Sequence, residues 1–316
     1  MSHSGTGPVV SFENVSKHYG SLRAVDGLSL DLRPRETVAL LGPNGAGKST
    51  SLDMLLALRK PTSGKITMFG KDPYHAVKAG DVGAMLQSGG LMPEVTVREL
   101  VTLVTGLHPR PVPVDTTLRR AGIADIADQR VDRLSGGQTQ RVRFALAIVG
   151  ECDLIVLDEP TTAMDVETRQ LFWADMKEEV AEGKTLLFAT HYLEEADQAA
   201  DRILVINRGR LLADGTPAEI KSRAGAKRMS FRLDKVNEPF LLGLPGIVSV
   251  DVRGDVVQIQ SSDSDATLYA VLDAGYRPRE VEIGSLGLEQ AFLAITAEDD
   301  AANGAANGAQ PVKETI

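Results

Sequence analysis

The chain has 316 residues, of which 43% are hydrophobic and 24% charged, so it has the composition of a folded protein with one large and one small domain. A formal net charge of -9 argues against a nucleic-acid partner. Cys152 is the only cysteine, which excludes an internal disulfide and indicates a reducing compartment. Residues 1–8 do not resemble a signal peptide, and no apolar run approaches the ~18 residues of a membrane-spanning helix.

Strand and helix patterns alternate through residues 9–220. The alternating segments 9–12 and 28–32 predict strands of an exposed, antiparallel edge sheet. The short apolar runs 37–41, 154–157 and 185–189 predict buried strands. Helical patterns adjoin these runs, as in the Leu-rich stretch that ends near Leu58. The repeated order predicts an α/β fold with a mainly parallel sheet that is covered on both faces.

Residues 92–145 differ from the segments on either side because their apolar patterns are helical. The candidate helices are 93–107 and 115–126, and a proline-rich loop (Pro109, Pro111, Pro113) separates them. We interpret this region as a helical insert in the α/β domain.

After the large domain, assigned to 9–220, the pattern restarts. A strand at 229–233, a short helix at 238–242, a hairpin over 247–260, a helix at 265–274 and a strand at 279–283 predict a small α+β domain of the ferredoxin-like class. This second domain is assigned to 228–296, with a closing helix at 287–295. The tail 297–316 repeats Ala-Ala-Asn-Gly and is predicted to be disordered.

A glycine-rich loop follows the strand at 37–41. It reads Gly42-Pro43-Asn44-Gly45-Ala46-Gly47-Lys48-Ser49 and fits the phosphate-binding motif G-x-x-x-x-G-K-[ST]. Glycines allow the backbone N–H groups to point at phosphate oxygens, and the following helix adds its positive dipole end. Lys48 supplies a positive charge, the Ser49 hydroxyl is suited to bind Mg²⁺, and Thr50 offers a further donor. The sequence therefore predicts nucleotide binding.

Two adjacent carboxylates, Asp158 and Glu159, follow the apolar run 154–157. The carboxyl end of a buried strand is where open α/β sheets bind ligands. Neighbouring side chains on an extended segment point in opposite directions, so one can face a metal ion and the other a water molecule. We assign Asp158 to Mg²⁺ and Glu159 to the general base. Without the phosphate loop, a solvated acidic turn would be the simpler interpretation.

A second candidate phosphate site is the segment Leu134-Ser135-Gly136-Gly137-Gln138, which opens another predicted helix. The simpler interpretation is a helix start with Ser135 as the N-cap. Glycines at a helix N-terminus can equally bind phosphate. One chain with one γ-phosphate does not need two such sites, whereas two chains that face each other do.

Taken in order over residues 9–220, these segments resemble the ATP-binding cassette ATPases. The resemblance implies that Tyr19 stacks on adenine and that Gln87 senses Mg²⁺ and contacts the transport partner. It implies that residues 134–138 are the family signature, which binds the γ-phosphate held by the opposite subunit. Asp165 then lies in the loop that joins the two sites, and His191 contacts the γ-phosphate.

The resemblance implies ATP and Mg²⁺ as cofactors, and a second copy of the chain and a separate transmembrane permease as partners. It also implies that this chain lies at the cytoplasmic face of the cell membrane. The closing helix contains Leu288-Glu289-Gln290-Ala291-Phe292-Leu293. This pattern resembles the C-terminal pattern of daunorubicin-resistance-type exporters, which implies export of drug-like or lipid-like molecules. The alternative is a soluble cassette ATPase that acts on ribosomes or DNA. A single cassette without a coiled-coil insert in an acidic chain favours the exporter. A phosphate-loop kinase has no use for the 134–138 segment.

Overall fold

A computed structural model describes residues 7–87, 89–223 and 225–307. These residues form two compact units, with the boundary between Thr216 and Pro217. Among the residues described, no helix combines the length and the apolar character that crossing a bilayer requires.

The first unit alternates strands with helices, as the sequence predicts. Its strands are β1 (Val10–Tyr19), β2 (Leu22–Leu32), β3 (Thr37–Leu41), β4 (Ser63–Met68), β5 (Val82–Met85), β6 (Leu154–Asp158), β7 (Thr185–Thr190), β8 (Arg202–Asn207) and β9 (Arg210–Gly215). Its helices are α1 (Lys48–Leu55), α2 (Pro73–Lys78), α3 (Val97–Leu107), α4 (Val114–Arg120), α5 (Gly136–Ala147), α6 (Val166–Ala181) and α7 (Leu193–Ala199).

The central sheet of this unit has the strand order β5-β6-β7-β3-β8-β9. Strands β5 to β8 run parallel, and β9 pairs with β8 as an antiparallel edge strand. Every residue of β3, β6 and β7 is buried, as is typical of parallel strands between two layers of helices. The carboxyl ends of β6, β7 and β3 are therefore neighbours at one edge of the sheet.

A second, antiparallel sheet has the order β2-β1-β4. Phe12, Leu28 and Ile66 from this sheet belong to one hydrophobic core with Leu52 of α1 and Val38 of β3. Helix α1 is thus held by side chains of both sheets. The packing also fixes the loop between β3 and α1.

Three predicted helices have different limits in the structure because non-helical backbone interrupts them. Helix α1 ends at Leu55, before a left-handed Ala57 (φ 58°). Helix α3 begins only at Val97, where Thr96 forms a capping box, and not at residue 93. The predicted helix 115–126 is broken at Gly122 (φ 62°), so that α4 ends at Arg120 and a short 3₁₀ turn follows.

The second unit contains its own hydrophobic core. Its elements are α8 (Pro217–Ser222), β10 (Lys227–Arg232), α9 (Glu238–Leu242), β11 (Ile247–Arg253), β12 (Val256–Ser261), α10 (Ser264–Asp273), β13 (Arg279–Ser285) and α11 (Leu288–Asn307). The strands form an antiparallel sheet in the order β11-β12-β10-β13. Alternate residues of β10, Met229 and Phe231, are buried against Ile259 of β12, Leu241 of α9 and Val271 of α10.

The prediction of disorder from residue 297 is wrong for residues 297–307, because α11 continues to Asn307. Alanine is frequent in this stretch and is the strongest helix former, so the Ala-Ala-Asn-Gly repeat extends a helix that Leu288 and Ile295 already anchor as buried residues. The remaining predicted tail, 308–316, lies outside the described residues.

Candidate active site

The phosphate-loop motif lies between β3 and α1, in the context that the sequence predicts. Gly47 is the left-handed N-cap of α1 (φ 104°), and a Cβ atom on it would lie 2.4 Å from the Ala24 carbonyl oxygen. A Cβ atom on Gly42 would lie 2.4 Å from the Ile206 carbonyl oxygen. Only glycine therefore fits at these two positions without a shift of backbone. The loop is packed tightly against β2 and β8.

The ammonium group of Lys48 turns back into this loop. Its Nζ atom donates hydrogen bonds to the carbonyl oxygens of Gly42 (2.6 Å) and Pro43 (3.2 Å). Burial lowers the pKa of Lys48, an effect that the nearby carboxylates of Glu159 and Asp158 oppose. A phosphate group at the loop would add negative charge that favours the protonated form of this buried amine.

An open cavity of about 450 Å³ brings together most of the predicted site residues. Its lining comprises Tyr19, Leu22, Ala24, Pro43, Asn44, Gly45, Ala46, Gly47, Lys48, Ser49, Thr50, Gln87 and Glu159. Tyr19 ends β1 with 40% of its surface exposed, and the cations of Lys17 and Arg59 lie 5.4 and 5.7 Å from its ring centre. A partly exposed aromatic ring at one end and a phosphate loop at the other suit a nucleotide.

The carboxylate of Asp158 closes β6 and is buried. The side chain of Ser49 lies next to it, and its Oδ1 atom has no hydrogen-bond partner among the described residues. Burial raises the pKa of Asp158, because the ionised form loses hydration. A divalent cation between these two side chains would satisfy the unpartnered oxygen. The residues therefore fit Mg²⁺.

Among the described residues there is no group of three or more His, Cys, Asp or Glu side chains placed to hold a metal ion. Phosphate and water oxygens would have to complete the coordination of Mg²⁺, which usually keeps several waters and binds through one or two carboxylates.

Glu159 has a left-handed backbone (φ 51°), a conformation that costs energy in a residue with a side chain. Its N–H donates to the Ala189 carbonyl oxygen of β7 at 2.9 Å, which fixes the turn. The Oε2 atom lies 2.7 Å from Nδ1 of His191, the residue that follows β7. The predicted base and the histidine predicted to contact the γ-phosphate are therefore in direct contact.

The signature segment lies outside this cavity. Ser135 caps α5: its Oγ accepts from the Gln138 N–H at 3.2 Å, and Oε1 of Gln138 accepts from the Ser135 N–H at 2.9 Å. A Cβ atom on Gly136 would lie 3.0 Å from Cβ of Ala163, and a Cβ atom on Gly137 would lie 3.7 Å from the Ala163 carbonyl oxygen. These residues form an exposed helix start beside the loop that follows β6.

Asp165 is likewise outside the cavity, and it caps α6 by accepting the Thr168 N–H at 2.8 Å. That hydrogen bond lowers the pKa of Asp165. Within one chain, the simpler interpretation of both Ser135 and Asp165 as helix caps thus describes their contacts fully.

Two further residues, Arg169 of α6 and Glu195 of α7, contact the loops after β6 and β7. Sequence reasoning missed them because neither belongs to a motif. One signal was present for Glu195: an acidic residue directly before the small apolar Ala196 on a short helix, at a position that proves to be buried.

A protein-family model described as "ABC transporter" matches residues 25–162. The Nod factor export ATP-binding protein I of Burkholderia orbicola (strain AU 1054) is 41% identical over 224 residues, which cover 68% of this chain and 74% of that protein. The protein of the same name from Rhizobium sp. (strain N33) is 34% identical over 300 residues, or 92% of this chain and 97% of that protein.

Solved structures agree with the sequence relatives. A dimeric ATP-binding cassette in a post-hydrolysis state, bound to ADP and Pi, is 27% identical with a TM-score of 0.60, and the match covers 66% of this chain and 98% of that one. Another, an ATP-binding subunit of an ABC transporter, is 25% identical with a TM-score of 0.62 and covers 69% of this chain and 93% of that one. The chain belongs to the ATP-binding cassette family of ABC transporters and is an ATP-hydrolysing ATPase of that family.

Proposed function

We propose that this chain is the ATPase subunit of an exporter, and that two copies close around two ATP molecules to drive a separate transmembrane permease. The observation that carries the proposal is the split arrangement of phosphate-binding groups. Lys48 lines the cavity with Glu159, whereas Ser135 and Asp165 lie outside it on exposed helix starts. A second copy would bring its own signature segment to this cavity.

The chain's own residues have separate tasks in this proposal. The loop 42–50 binds the phosphates, and Tyr19 stacks on the base. Glu159 accepts a proton from the attacking water, and His191 holds that carboxylate in place and reaches the γ-phosphate. Ser49 and Asp158 would hold Mg²⁺ with Gln87 nearby, and the ion would neutralise phosphate charge when bound.

The export direction is supported by the printed names of the relatives, which describe export ATP-binding proteins. The Rhizobium relative covers nearly the whole chain, so the second unit belongs to the comparison. We infer a drug-like or lipid-like substrate and a place near the daunorubicin-resistance-type subgroup, on the C-terminal helix pattern 288–293. The position at the cytoplasmic face of a membrane follows from the proposed permease.

For the second unit we propose the ferredoxin-like class and an accessory role. Its support is the order strand-helix-strand-strand-helix-strand from β10 to β13, together with the sheet order β11-β12-β10-β13. The accessory role is proposed for the whole second unit, which exceeds the predicted range 228–296 because it includes α8 and continues in α11 to Asn307.

The test is Glu159→Gln, which keeps the size of the side chain and removes the base. We expect steady-state hydrolysis to fall by a factor of about 100 or more, and ATP to trap a dimer that light scattering detects. The matched control is Glu167→Gln, an exposed carboxylate in the first turn of α6. Turnover close to wild type, or a monomer at saturating ATP, would contradict the proposal. Co-purification of a permease from the native membrane tests the transport role.

A further inference from the structure

The buried carboxylate of Glu195 joins the loop that follows β6 to the last residue of β7. Only 3% of Glu195 is exposed. Its Oε1 atom accepts a hydrogen bond from the Thr161 hydroxyl, and its Oε2 atom accepts one from the Thr190 hydroxyl at 3.2 Å. Thr161 follows Glu159 closely in the chain, and Thr190 directly precedes His191. One side chain thus bridges the backbones that carry the proposed base and its histidine.

Arg169 contacts the loop after β6 and the segment just after β7. Its Nη2 atom donates to the Met164 carbonyl oxygen at 3.5 Å. Its guanidinium lies 4.9 Å from the centre of the Tyr192 ring, and that ring lies 4.1 Å from the His191 ring, centre to centre. The Nε atom of Arg169 is 3.4 Å from Oε1 of Glu195, close enough for an ion pair although without the geometry of a hydrogen bond.

The electrostatic setting makes the two residues depend on each other. Burial raises the pKa of Glu195, while the Thr161 hydroxyl, Arg169 and the Thr190 hydroxyl oppose that rise. A buried charge that loses its partner is left uncompensated. An apolar side chain at position 195 would satisfy packing alone, but it could not bind one hydroxyl group in the loop after β6 and another at the end of β7.

We propose that Arg169 and Glu195 are positioning residues for hydrolysis, which together hold the β6 loop and the β7 loop in the arrangement that places His191 against Glu159. We call this pair the Arg169–Glu195 clamp. The inference rests on the proposed function, in which Glu159 is the base. It adds that two side chains outside the nucleotide cavity set the geometry of the base.

The test is a double-mutant cycle on steady-state hydrolysis by the full chain, with Glu195→Gln, Arg169→Gln and the double variant. We expect each single variant to lower kcat by about 10- to 100-fold, because small displacements of a catalytic group have effects of that order. The Kd for ATP should stay within about twofold, since the clamp does not contact the phosphate loop. The double variant should be no slower than the slower single variant, because the residues act as one unit.

Matched controls are Glu194→Gln and Lys177→Gln, exposed residues on the same two helices. They should leave kcat within about twofold. Arg169→Lys retains the positive charge and should recover part of the lost kcat. If Glu195→Gln does not fold, Arg169→Gln and its partial rescue by Arg169→Lys decide the question.

A role in packing alone predicts a different pattern. The unfolding temperature would fall, and the losses of active protein would add in the double variant. The kcat per folded molecule would be unchanged. This result would refute the proposal that Arg169 and Glu195 position the base. The proposed function is tested separately by Glu159→Gln. A severe loss there together with wild-type kcat in Glu195→Gln refutes the clamp alone, whereas undiminished turnover in Glu159→Gln refutes the proposed function.

Discussion

The side chain of Ser49 lies next to the carboxylate of Asp158, whose Oδ1 atom is buried without a hydrogen-bond partner among the described residues. The phosphate loop and the carboxyl end of β6 thus meet at the Ser49 hydroxyl and the buried Asp158 carboxylate. The charge costs stability in the nucleotide-free protein, because burial raises the pKa of Asp158. Function and stability are therefore expected to oppose each other at this position.

Asp158→Asn should lower Mg²⁺-dependent hydrolysis by about 100-fold or more, since the buried charge that faces the metal is removed. The unfolding temperature of the nucleotide-free variant should equal or exceed that of wild type. The sign follows from linkage: a raised carboxyl pKa in the folded state makes stability fall as the pH rises above the usual carboxyl value, and the amide abolishes this contribution.

The measurements are ATP turnover across a Mg²⁺ titration and thermal unfolding between about pH 4 and 7, the range above the unfolded carboxyl pKa. Asp125→Asn, at an exposed position in a 3₁₀ turn, is the matched control. A clearly lower unfolding temperature for Asp158→Asn at neutral pH would show that the ionised carboxylate stabilises the free protein, contrary to this expectation.

Ser135→Arg should spare ATP binding and suppress hydrolysis by about 100-fold, because a long cation at the exposed start of α5 keeps a second copy away from the cavity. The lost cap also costs about 1 kcal/mol of stability. Equilibrium binding of ATP, turnover and dimer formation by light scattering separate these effects.

Ser135→Thr is the control for that substitution, since it keeps a capping hydroxyl on a small side chain. It should retain the ATP-dependent dimer. Hydrolysis by Ser135→Arg at the wild-type rate would mean that one chain supplies the whole site.

Cys152 is buried, and burial raises the pKa of its thiol from 9.0 to about 11. The thiolate is the reactive form, so we expect alkylation of the native protein at pH 8 to be at least about 100-fold slower than alkylation of the unfolded chain. The folded state holds its proton to higher pH, and stability should therefore fall as the pH rises through the window from 9.0 to about 11.

Labelling kinetics with and without denaturant check this expectation, and Cys152→Ala gives the background. Fast labelling under native conditions would show that the segment between α5 and β6 opens without global unfolding.

Ending the chain after Thr296 should leave ATP turnover within about twofold of wild type. Ile295 is the last buried residue of α11 among the side chains that the structure describes. Ending it after Gly287 instead removes Leu288, Ala291 and Ile295, and should lower the unfolding temperature of the second unit. Loss of hydrolysis after the shorter deletion would contradict the expectation that residues 297–316 are dispensable for ATP turnover.

Most of the cavity could be predicted from the sequence because its parts are contiguous or directly follow buried strands. The loop 42–49 carries its own geometry, and Glu159 and His191 inherit their proximity from the pairing of β6 with β7. The parallel sheet follows from apolar runs without alternation. These features depend on residues close in sequence, for which pattern is informative.

The rest depends on contacts or backbone states that patterns do not show. Ala57 and Glu94 adopt left-handed conformations that non-glycine residues seldom adopt. The last residue of α1 and the first residue of α3 could therefore not be predicted. Glu195 contacts Thr161 across 34 positions of the chain, through two helices that no motif marks. The helical continuation beyond residue 297 was missed because a repeat suggested disorder while its alanines favoured helix.

Because β3, β6 and β7 are completely buried, the central sheet fixes the distances between the groups of the proposed active site. Adjacent strands are spaced by about 4.8 Å. The phosphate loop, the carboxylate pair and His191 each follow one of these strands, so hydrogen bonds between the strands keep their starting points at fixed distances. Backbone amides in these strands should exchange with solvent more slowly than any others in the first unit. We therefore expect movements during a catalytic cycle to occur in the loops and the helical insert, while β3, β6 and β7 keep their positions.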